Sequence, residues 1–383
     1  MVIINKNNPE ISIILPCRNE EKAIGFCINN AKNALKKYGI NGEIIVSDSS
    51  VDNSPVIAKK LGAKVIKHDK KGYGIAYLEG FKAVNGKYVF MADADATYDF
   101  NEIPKFLGFL KQGYDFVIGD RFGTKIAKKS MPFLHRYIGN PILSGILRLF
   151  FKTKVKDAHC GMRAITKKAL DKLELKTTGM EFASEMIIKV AKNKLKIKDI
   201  PIKYYDRIGE SKLNTFSDGW RHLRFMLMYA PNYLFMIPGL LFLLLGISIM
   251  VIFLIGPVNI GGLTLYTHPM IVGSFLAVLG YQIINLGVYA KTYSVSTGFE
   301  KKDKLVDILA KFLTFESGMI FGFLLFLISF IFGLVVLLDW ISKGFPSMLK
   351  TNDMIFILTL AILGVQTMFS AFFLSILLVG KKK

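Results

Sequence analysis

The sequence predicts an α/β domain with a mostly parallel sheet, followed by a C-terminal module of four transmembrane helices. Two observations indicate this fold class. Across the first ~210 residues, short β-rich runs alternate with longer helical patterns, as in βαβ units. After residue 232 the sequence becomes strongly apolar, and 52% of all 383 residues are hydrophobic. The chain is therefore long enough, and apolar enough, for a soluble domain joined to a membrane module.

Five runs in the first half have the length and composition of buried strands. They cover residues 11–15, 43–47, 63–68, 88–92 and 116–119. Helical patterns over residues 20–38 and 54–61 separate the first three of them. Ligands of such sheets bind beyond the carboxyl ends of the strands, so we expect the functional residues to follow these runs.

Four uncharged apolar runs make up most of the second half. Each can cross about 30 Å of hydrocarbon as a helix, which disfavours buried helices in a large soluble core. Residues 214–232, where Trp220 stands beside Arg221, have the mixed character of an interfacial amphipathic helix. We predict a catalytic domain over 1–213, the interfacial helix over 214–232, and a transmembrane domain over 233–383 with spans at 233–255, 269–290, 317–338 and 354–380.

The net charge of +21 would suit nucleic acid, an anionic membrane surface or phosphorylated substrates. The apolar spans favour the last two, and we expect no nucleic-acid partner. The loop over 291–316 contains five lysines, whereas 256–268 contains no lysine or arginine. The positive-inside rule therefore predicts that the catalytic domain and both termini are cytoplasmic. Cys17, Cys27 and Cys160 form no C-x-x-C pair, which predicts neither a disulfide framework nor a zinc site.

An acidic pair, Asp93-Ala94-Asp95, follows the apolar run 88–92. Two carboxylates at the end of a buried strand suit a hard divalent cation, Mg²⁺ or Mn²⁺, bound together with a diphosphate. Such a metal neutralises charge that builds on a leaving group. Because alternate residues of a strand face opposite sides, we expect Asp95 to be the direct ligand. A solvated turn at the strand end is the alternative.

Two more motifs complete an ordered series. Pro16, Asn19, Glu20 and Glu21 form a P-x-x-N-E-E motif after the first strand, and residues 48–52 form D-x-S-x-D-like sequence after the second. With the acidic pair, this series resembles family 2 glycosyltransferases, which have a nucleotide-sugar-binding (GT-A-type) fold. It is most similar to their dolichyl-phosphate mannosyltransferase-like, polyprenyl-phosphate branch. The resemblance covers residues ~10–213, and it implies a nucleotide-sugar donor and a dolichyl or polyprenyl phosphate acceptor.

The resemblance implies a donor site at these strand ends. Its nucleotide-sugar-binding residues are Pro16, Arg18, Glu20, Asp48, Asp93, Ala94, Asp95, Arg207, Ser211 and Lys212. Asp48 would accept a hydrogen bond from a base N–H, which suits uracil and guanine alike. Ser47 replaces the first Asp of the usual pair, and Thr97 stands where this branch often has Gln, which leaves the third metal ligand open. Asn19 and Glu20 could instead cap the following helix.

Three residues match the family's acceptor-phosphate site, namely Arg121, Arg136 and Asn140. Guanidinium groups bind phosphate oxygens in a bidentate manner, which agrees with that role. A basic solvated loop is the alternative. Arg207 and Lys212, with Ser211, match the family's R-x-G-x-S-K segment, which would close over the diphosphate. A surface charge run is the alternative.

Three further segments carry two readings each. The turn at Gly72–Gly74 either passes close to the donor, as in the family, or is a plain tight turn. Asp157 and Arg163 match a D-x-x-x-G-[FM]-R segment but could form a structural ion pair with each other. Glu181 could orient the metal or acceptor region, or could sit in the first turn of a helix, where the dipole favours acids.

These assignments predict an inverting transfer of one sugar to a lipid phosphate. The acceptor is already an anion, so a general base is not needed, and the catalytic residues are the acids and cations Asp93, Asp95, Arg121, Arg136, Arg207 and Lys212. GDP-mannose is the family's best-known donor, and a UDP-linked hexose or N-acetylhexosamine stays open. The alternatives are a processive polysaccharide synthase, whose Q-x-x-R-W signature is absent from the sequence, and a non-catalytic lipid-carrier binding or translocation protein. Four membrane helices exceed what an anchor needs, and they could pack into a homo-oligomer or help release product.

Overall fold

The computed structural model describes residues 8–124, 131, 133–209, 215–296, 315–344 and 351–379. The chain divides into two compact units, Met1–Tyr229 and Ala230–Lys383. The first unit holds the α/β domain and the amphipathic helix. The second holds the long apolar helices.

A seven-stranded sheet forms the centre of the described part of the first unit. Its strands are β1 (Ile11–Cys17), β2 (Gly42–Asp48), β3 (Lys64–Lys67), β4 (Tyr88–Met91), β5 (Phe116–Asp120), β6 (Arg163–Thr166) and β7 (Ile197–Pro201). Their spatial order is β3-β2-β1-β4-β6-β5-β7. The neighbours β1–β2, β1–β4, β2–β3 and β5–β7 are parallel, whereas β6 runs antiparallel to β4 and β5. The predicted mostly parallel sheet is confirmed, and β6 and β7 are strands that the sequence did not predict.

Helices cover the sheet and bury its apolar strands. They are α1 (Ile24–Lys37), α2 (Ser54–Lys60), α3 (Tyr73–Phe81), α4 (Ile103–Lys111), α5 (Asn140–Phe151), α6 (Lys167–Leu173), α7 (Phe182–Lys192) and α8 (Thr215–Met228). The side chains of β1 illustrate the burial, since Ile11, Ile13, Ile14 and Leu15 are all fully buried. A strand that is buried on both faces reads as a continuous apolar run, which is why β1 was predictable.

The direction of β6 brings distant segments together at one edge of the sheet. In the β4–β6 ladder Met91 pairs with Arg163, so the loop 157–162 that precedes β6 lies beside the loop that follows β4. In the parallel β5–β7 ladder Asp120 pairs with Pro201, so the chain leaves both strands at this same edge. The carboxyl ends of β1, β2, β4, β5 and β7 therefore meet the start of β6.

The described part of the second unit, residues 230–296, 315–344 and 351–379, contains four helices that are long and apolar enough to cross a membrane. They are α9 (Ile237–Ile255), α10 (His268–Ser296), α11 (Phe315–Ser342) and α12 (Thr351–Val379). The corresponding candidate spans are Tyr233–Ile255, His268–Ser296, Phe315–Ser342 and Thr351–Leu378. The four predicted transmembrane helices are thereby confirmed, and a short β8–β9 hairpin (Val258–Ile260, Leu263–Leu265) joins the first two.

Small and polar residues pack the membrane helices together. A Cβ added to Gly273 of α10 would lie 3.0 Å from the carbonyl oxygen of Gly246 on α9, so these backbones approach closely. Helices α10 and α12 are joined by three side-chain hydrogen bonds of 2.6–2.7 Å. These bonds are Ser274–Thr359, Tyr281–Thr367 and Tyr289–Ser370.

Candidate functional site

Asp48 ends β2, and only one oxygen of its buried carboxylate accepts a hydrogen bond from the described residues. Its side chain is fully buried, and Oδ1 accepts a hydrogen bond of 2.6 Å from Ser50 Oγ. Oδ2 is also buried and has no hydrogen-bond partner among the described residues. An unmet buried acceptor is costly, so a hydrogen-bond donor from a ligand or from water would stabilise this group. The predicted base-binding position is therefore built to accept a hydrogen bond.

The turn after β1 is tied to the turn after β2. Asn19 has a positive φ of 53°, its N–H donates to Ser50 Oγ at 2.8 Å, and its Oδ1 accepts from Val51 N at 3.0 Å. The N–H of Glu20 donates to Ser54 Oγ at 3.0 Å. Helix α1 begins only at Ile24, so the alternative that Asn19 and Glu20 cap it is wrong. These residues instead join the two strand ends, where Pro16 is half-buried and Arg18 is exposed.

The acidic pair lies directly beyond β4. Asp95 is 7% exposed, and its Oδ1 accepts from the backbone N–H of Thr97 at 3.1 Å and from its hydroxyl at 2.6 Å. Oδ1 of Asp93 accepts from the Tyr73 hydroxyl at 3.1 Å. Burial, together with the charge of Asp95, raises the pKa of Asp93 to about 7. Ala94, between the two acids, is buried. Ala96, directly after Asp95, has a strained positive φ of 68°.

Glycine at position 161 lets Asp93 sit against the loop 157–162. A Cβ added to Gly161 would lie 2.9 Å from the carboxyl carbon of Asp93, so a larger side chain would displace the carboxylate. The N–H of Gly161 donates to the Tyr98 hydroxyl at 2.8 Å, which fixes this approach. Tyr73 and Tyr98 were not predicted as site residues, although Tyr73 lies in the glycine turn and Tyr98 comes three residues after Asp95.

The donor set at the acidic pair fits a divalent cation that completes its shell with diphosphate oxygens. Within the described part of the chain, three or more His, Cys, Asp or Glu side chains do not converge on any point that could hold a metal. Two carboxylates plus phosphate oxygens are the kind of oxygen ligands that Mg²⁺ and Mn²⁺ accept. The Thr97 hydroxyl points to Asp95, so it orients that carboxylate. A cation already stands next to Asp95, namely the guanidinium of Arg207.

The guanidinium of Arg207 lies close to two acids of the site, and one of its N–H donors has no hydrogen-bond partner among the described residues. Its Nη2 lies 3.1 Å from Asp95 Oδ2 and 3.8 Å from Glu20 Oε1. Its Nε is buried without a hydrogen-bond partner among the described residues. The segment is held in place because Ile208 N–H donates to the Asp95 carbonyl and Tyr205 N–H donates to the Thr97 carbonyl, both at 3.0 Å. The predicted partners Ser211 and Lys212 lie outside the described residues.

Arg121 is bound by a carboxylate of the protein itself. It is 7% exposed, and Nε and Nη2 donate to the two oxygens of Asp157 at 2.6 and 2.8 Å. Its guanidinium also stacks on the Tyr204 ring at 5.2 Å. The alternative of an ion pair between Asp157 and Arg163 is wrong, because Asp157 pairs with Arg121. The role of Arg121 toward an acceptor phosphate stays a prediction.

Arg163 is a buried cation that holds the loop 157–162 through carbonyl groups. It is 2% exposed and donates to the carbonyls of Cys160 at 2.8 Å, Ala158 at 2.9 Å and Ala183 at 3.0 Å. These bonds join the loop to the first turn of α7. Arg163 therefore stabilises the loop that supports Asp93 and Asp157.

Arg136 and Asn140 lie on the segment that leads into α5. Arg136 is half-buried in the helical turn His135–Gly139, with its guanidinium 5.3 Å from the Tyr137 ring centre. Asn140 donates to Met131 Sδ at 3.6 Å. Among the described residues, no hydrogen bond or ion pair joins either of them to Arg121. Their shared role at an acceptor phosphate stays a prediction.

The glycine turn and the two glutamates have structural contacts. A Cβ added to Gly72 or Gly74 would clash with the backbone of residues 177–178, so both glycines allow a close approach between two segments of the protein. Glu181 accepts from Gly179 N–H at 3.2 Å immediately before α7. Glu185 is fully buried and accepts from the N–H of residues 176 and 177.

The fold and the acidic pair at the strand ends together define a GT-A-type α/β transferase domain.

Comparisons with known proteins agree with this class. Residues 12–174 match the family Glycosyl transferase family 2, and residues 288–378 match the Glycosyltransferase family 2 C-terminal transmembrane region. The chain is 38% identical over 367 residues to the low-salt glycan biosynthesis hexosyltransferase Agl6 of Haloferax volcanii, covering 96% of this chain and 88% of that protein. It is 34% identical over 211 residues to a dolichyl-phosphate hexose transferase of the same organism, covering 55% of this chain and 89% of that protein.

A solved structure with a similar fold is glucosyl-3-phosphoglycerate synthase from Mycobacterium tuberculosis, in complex with Mn²⁺, UDP and glucosyl-3-phosphoglycerate. It has a TM-score of 0.48 and 20% identity, covering 60% of this chain and 82% of that one. The sequence relatives carry the assignment: the chain belongs to glycosyltransferase family 2. It is a membrane protein and a glycosyltransferase, and its resemblance to the polyprenyl-phosphate branch is confirmed.

Proposed function

We propose that this enzyme transfers a single hexose from a nucleotide-sugar donor to a dolichyl or polyprenyl phosphate, with inversion at the anomeric carbon. One observation carries the proposal. Asp95 Oδ2 is paired at 3.1 Å with Arg207, whose buried Nε has no partner among the described residues. The Asp95 carboxylate suits a divalent metal ion, and the unused Arg207 donor suits an anionic phosphate oxygen. Together they match a diphosphate that carries a bound metal ion.

The nucleoside end of the donor would bind between the turns after β1 and β2. The unpaired Oδ2 of Asp48 would accept an N–H of the base, with Pro16, Arg18 and Glu20 around it. The diphosphate would then extend toward Asp95, because β1 lies between β2 and β4 in the sheet. Uracil and guanine each offer such an N–H, so both UDP- and GDP-hexoses belong in the test.

The acceptor would enter from the side of Arg121, Arg136 and Asn140. Around these residues the surface is unusually apolar, since Phe133 is 69% exposed and Tyr137 is 58% exposed. Exposed aromatic rings beside arginines suit the boundary between a phosphate headgroup and an isoprenoid chain. The relatives named as a hexosyltransferase and a dolichyl-phosphate hexose transferase support this acceptor class. We further propose a cytoplasmic catalytic domain, from the basic loops.

The reaction would be a single displacement. An oxygen of the lipid phosphate forms a bond to the anomeric carbon while the bond from that carbon to the nucleoside diphosphate breaks, and the electron pair leaves with the diphosphate. When bound, a divalent cation at Asp95 and Asp93 would neutralise part of that charge. Arg207 would donate to the leaving diphosphate, which stabilises the charge as it develops. The lipid phosphate is already ionised, so the protein only has to hold it in line.

The proposal is tested with purified full-length protein in mixed detergent–lipid micelles. The protein is incubated with Mn²⁺, dolichyl phosphate and labelled GDP- or UDP-hexoses, and the lipid product is identified by mass spectrometry. We expect one hexose per lipid phosphate and, from an α-linked donor, a β-linked product. Dolichol without phosphate is the matched control and should accept no sugar. Transfer to dolichol, an α-linked product or a long polymer would each contradict the proposal.

A further inference from the structure

A pair of histidines connects α8 to the loop 157–162. His222 lies on the buried face of α8 and is 5% exposed, and its Nδ1 is 2.8 Å from Ser184 Oγ on α7. Its ring stands edge-on to the ring of His159, with centroids 4.4 Å apart and planes at 77°. One side chain of α8 therefore contacts both α7 and the loop.

His159 occupies the middle of a loop that touches the site on both sides. Two residues before it, Asp157 binds the guanidinium of Arg121 through two hydrogen bonds. Two residues after it, Gly161 packs against the carboxylate of Asp93. A shift of the His159 ring would therefore move the support of both Arg121 and Asp93.

A histidine is an unusual choice for the buried face of an amphipathic helix. The next buried positions are apolar or aromatic and follow the helical spacing, namely Phe225 and Met226 in α8 and Tyr229 directly after it. Burying an imidazole costs free energy unless its polar atoms are paired, and Ser184 meets that need at Nδ1. Burial, and secondarily the charge of Arg163, lowers the pKa of His222 to about 4, so the ring is neutral at physiological pH. A leucine could fill the position, but it would not fix the ring orientation against His159.

We infer that His222 is a positioning residue for the transfer reaction, holding the loop 157–162 against Asp93 and Arg121 through its contact with His159. The inference rests on the proposed function. It predicts a larger effect on turnover and acceptor use than on nucleotide binding. The reason is that β1 and β4 separate the β2 end, with Asp48, from β6 and its loop.

The test is a double-mutant cycle in the full-length enzyme. The variants are His222→Ala, His159→Ala and the double variant, with Phe225→Ala as the control, because it truncates the same buried face of α8. For each, kcat and KM are measured for dolichyl phosphate, and the Kd of the nucleoside diphosphate is measured by calorimetry. Each histidine variant should lose about tenfold in kcat/KM for the acceptor, and the double variant should lose little more, because the two residues act as one unit.

Three results would overturn this role. One is a His222→Ala enzyme with wild-type acceptor kinetics. Another is a double variant whose loss is the product of the two single losses, about 100-fold, as for independent sites. The third is an equal kinetic loss in Phe225→Ala, which would indicate general destabilisation. If the wild-type enzyme transfers no sugar to lipid phosphate, the proposed function itself has failed. A wild-type enzyme that is active while His222→Ala is unchanged refutes the positioning role alone.

Discussion

Four charged residues of the site form two groups that differ in how their polar atoms are paired within the protein. On the nucleotide side, Asp48 Oδ2 and Arg207 Nε are buried without protein partners in the described part of the chain. On the side of the loop 157–162, Arg121 is held by Asp157, and Arg163 donates to three carbonyl groups. A buried group without a partner costs stability unless a ligand or a water molecule supplies the partner. Asp48 and Arg207 each keep a polar atom that a bound ligand could pair with, whereas two guanidinium nitrogens of Arg121 already donate to Asp157.

The largest expected effect is at the acidic pair. Asp95→Asn should lower kcat for hexose transfer by about 10³-fold, because it removes the charge that faces both Arg207 and a bound cation. The measurement is the initial rate of lipid-linked hexose formation at saturating Mn²⁺. Asp99→Asn is the matched control, since Asp99 accepts hydrogen bonds from the N–H and the side-chain amide of Asn101 in the short turn Phe100–Glu102, and Asn caps equally well. A similar loss of kcat in Asp95→Asn and Asp99→Asn would contradict a specific role of Asp95 in the reaction.

Arg207 should show opposite effects on catalysis and on metal binding. Arg207→Gln should lower kcat by about 100-fold, because a donor to the leaving diphosphate is lost. The same variant should bind Mn²⁺ more tightly when no nucleotide is present, since the competing cation at Asp95 has gone. Metal binding is measured by electron paramagnetic resonance. The exposed Lys203→Gln removes the same charge four residues earlier and should change neither quantity. Weaker Mn²⁺ binding by Arg207→Gln would contradict this account.

Asp48 should affect the affinity for the donor. Asp48→Asn keeps an acceptor for Ser50 but removes the charge at the unpaired oxygen, so the donor KM should rise about tenfold with little change in kcat. Steady-state kinetics with the preferred donor provide the measurement. Asp171→Asn, an exposed position on α6, is the control for charge alone. An unchanged donor KM would mean that Asp48 does not contact the base.

The smallest expected effect is a pH dependence of the free energy of unfolding, caused by His222. The folded pKa of His222, about 4, lies below its ordinary value of 6.5, so the unfolded chain binds the proton more readily. The contribution of neutral His222 to the free energy of unfolding is fully present above pH 6.5, the ordinary histidine pKa, and is lost as the pH drops toward 4. Between about pH 7.5 and about pH 5.5 the loss should be about 1 kcal/mol. Denaturant unfolding of wild type and His222→Phe measures it. A slope in His222→Phe identical to that of the wild type would refute the assignment.

Much of the fold and the nucleotide side followed from the sequence. The apolar runs of β1, β2 and β4 were legible because strands buried on both faces carry few polar residues, and Asp48 and Asp95 follow such runs directly. Strand β6 was missed because it begins with Arg163 and ends with Thr166, so its four residues contain only two apolar ones. Its antiparallel direction then determined the partner of Asp157, which lies 36 residues from Arg121. Pairing over that distance depends on tertiary topology, which local patterns do not contain.

The hydrogen-bonded ladder between α10 and α12 constrains how the membrane unit can move. Its three rungs at Ser274, Tyr281 and Tyr289 are spaced by about two helical turns, so they span much of the hydrocarbon depth. At about 0.6 kcal/mol each, they oppose sliding or twisting of one helix past the other by a total of about 2 kcal/mol. A piston-like stroke along this seam would break all three at once, whereas a rocking of the pair as one body would break none.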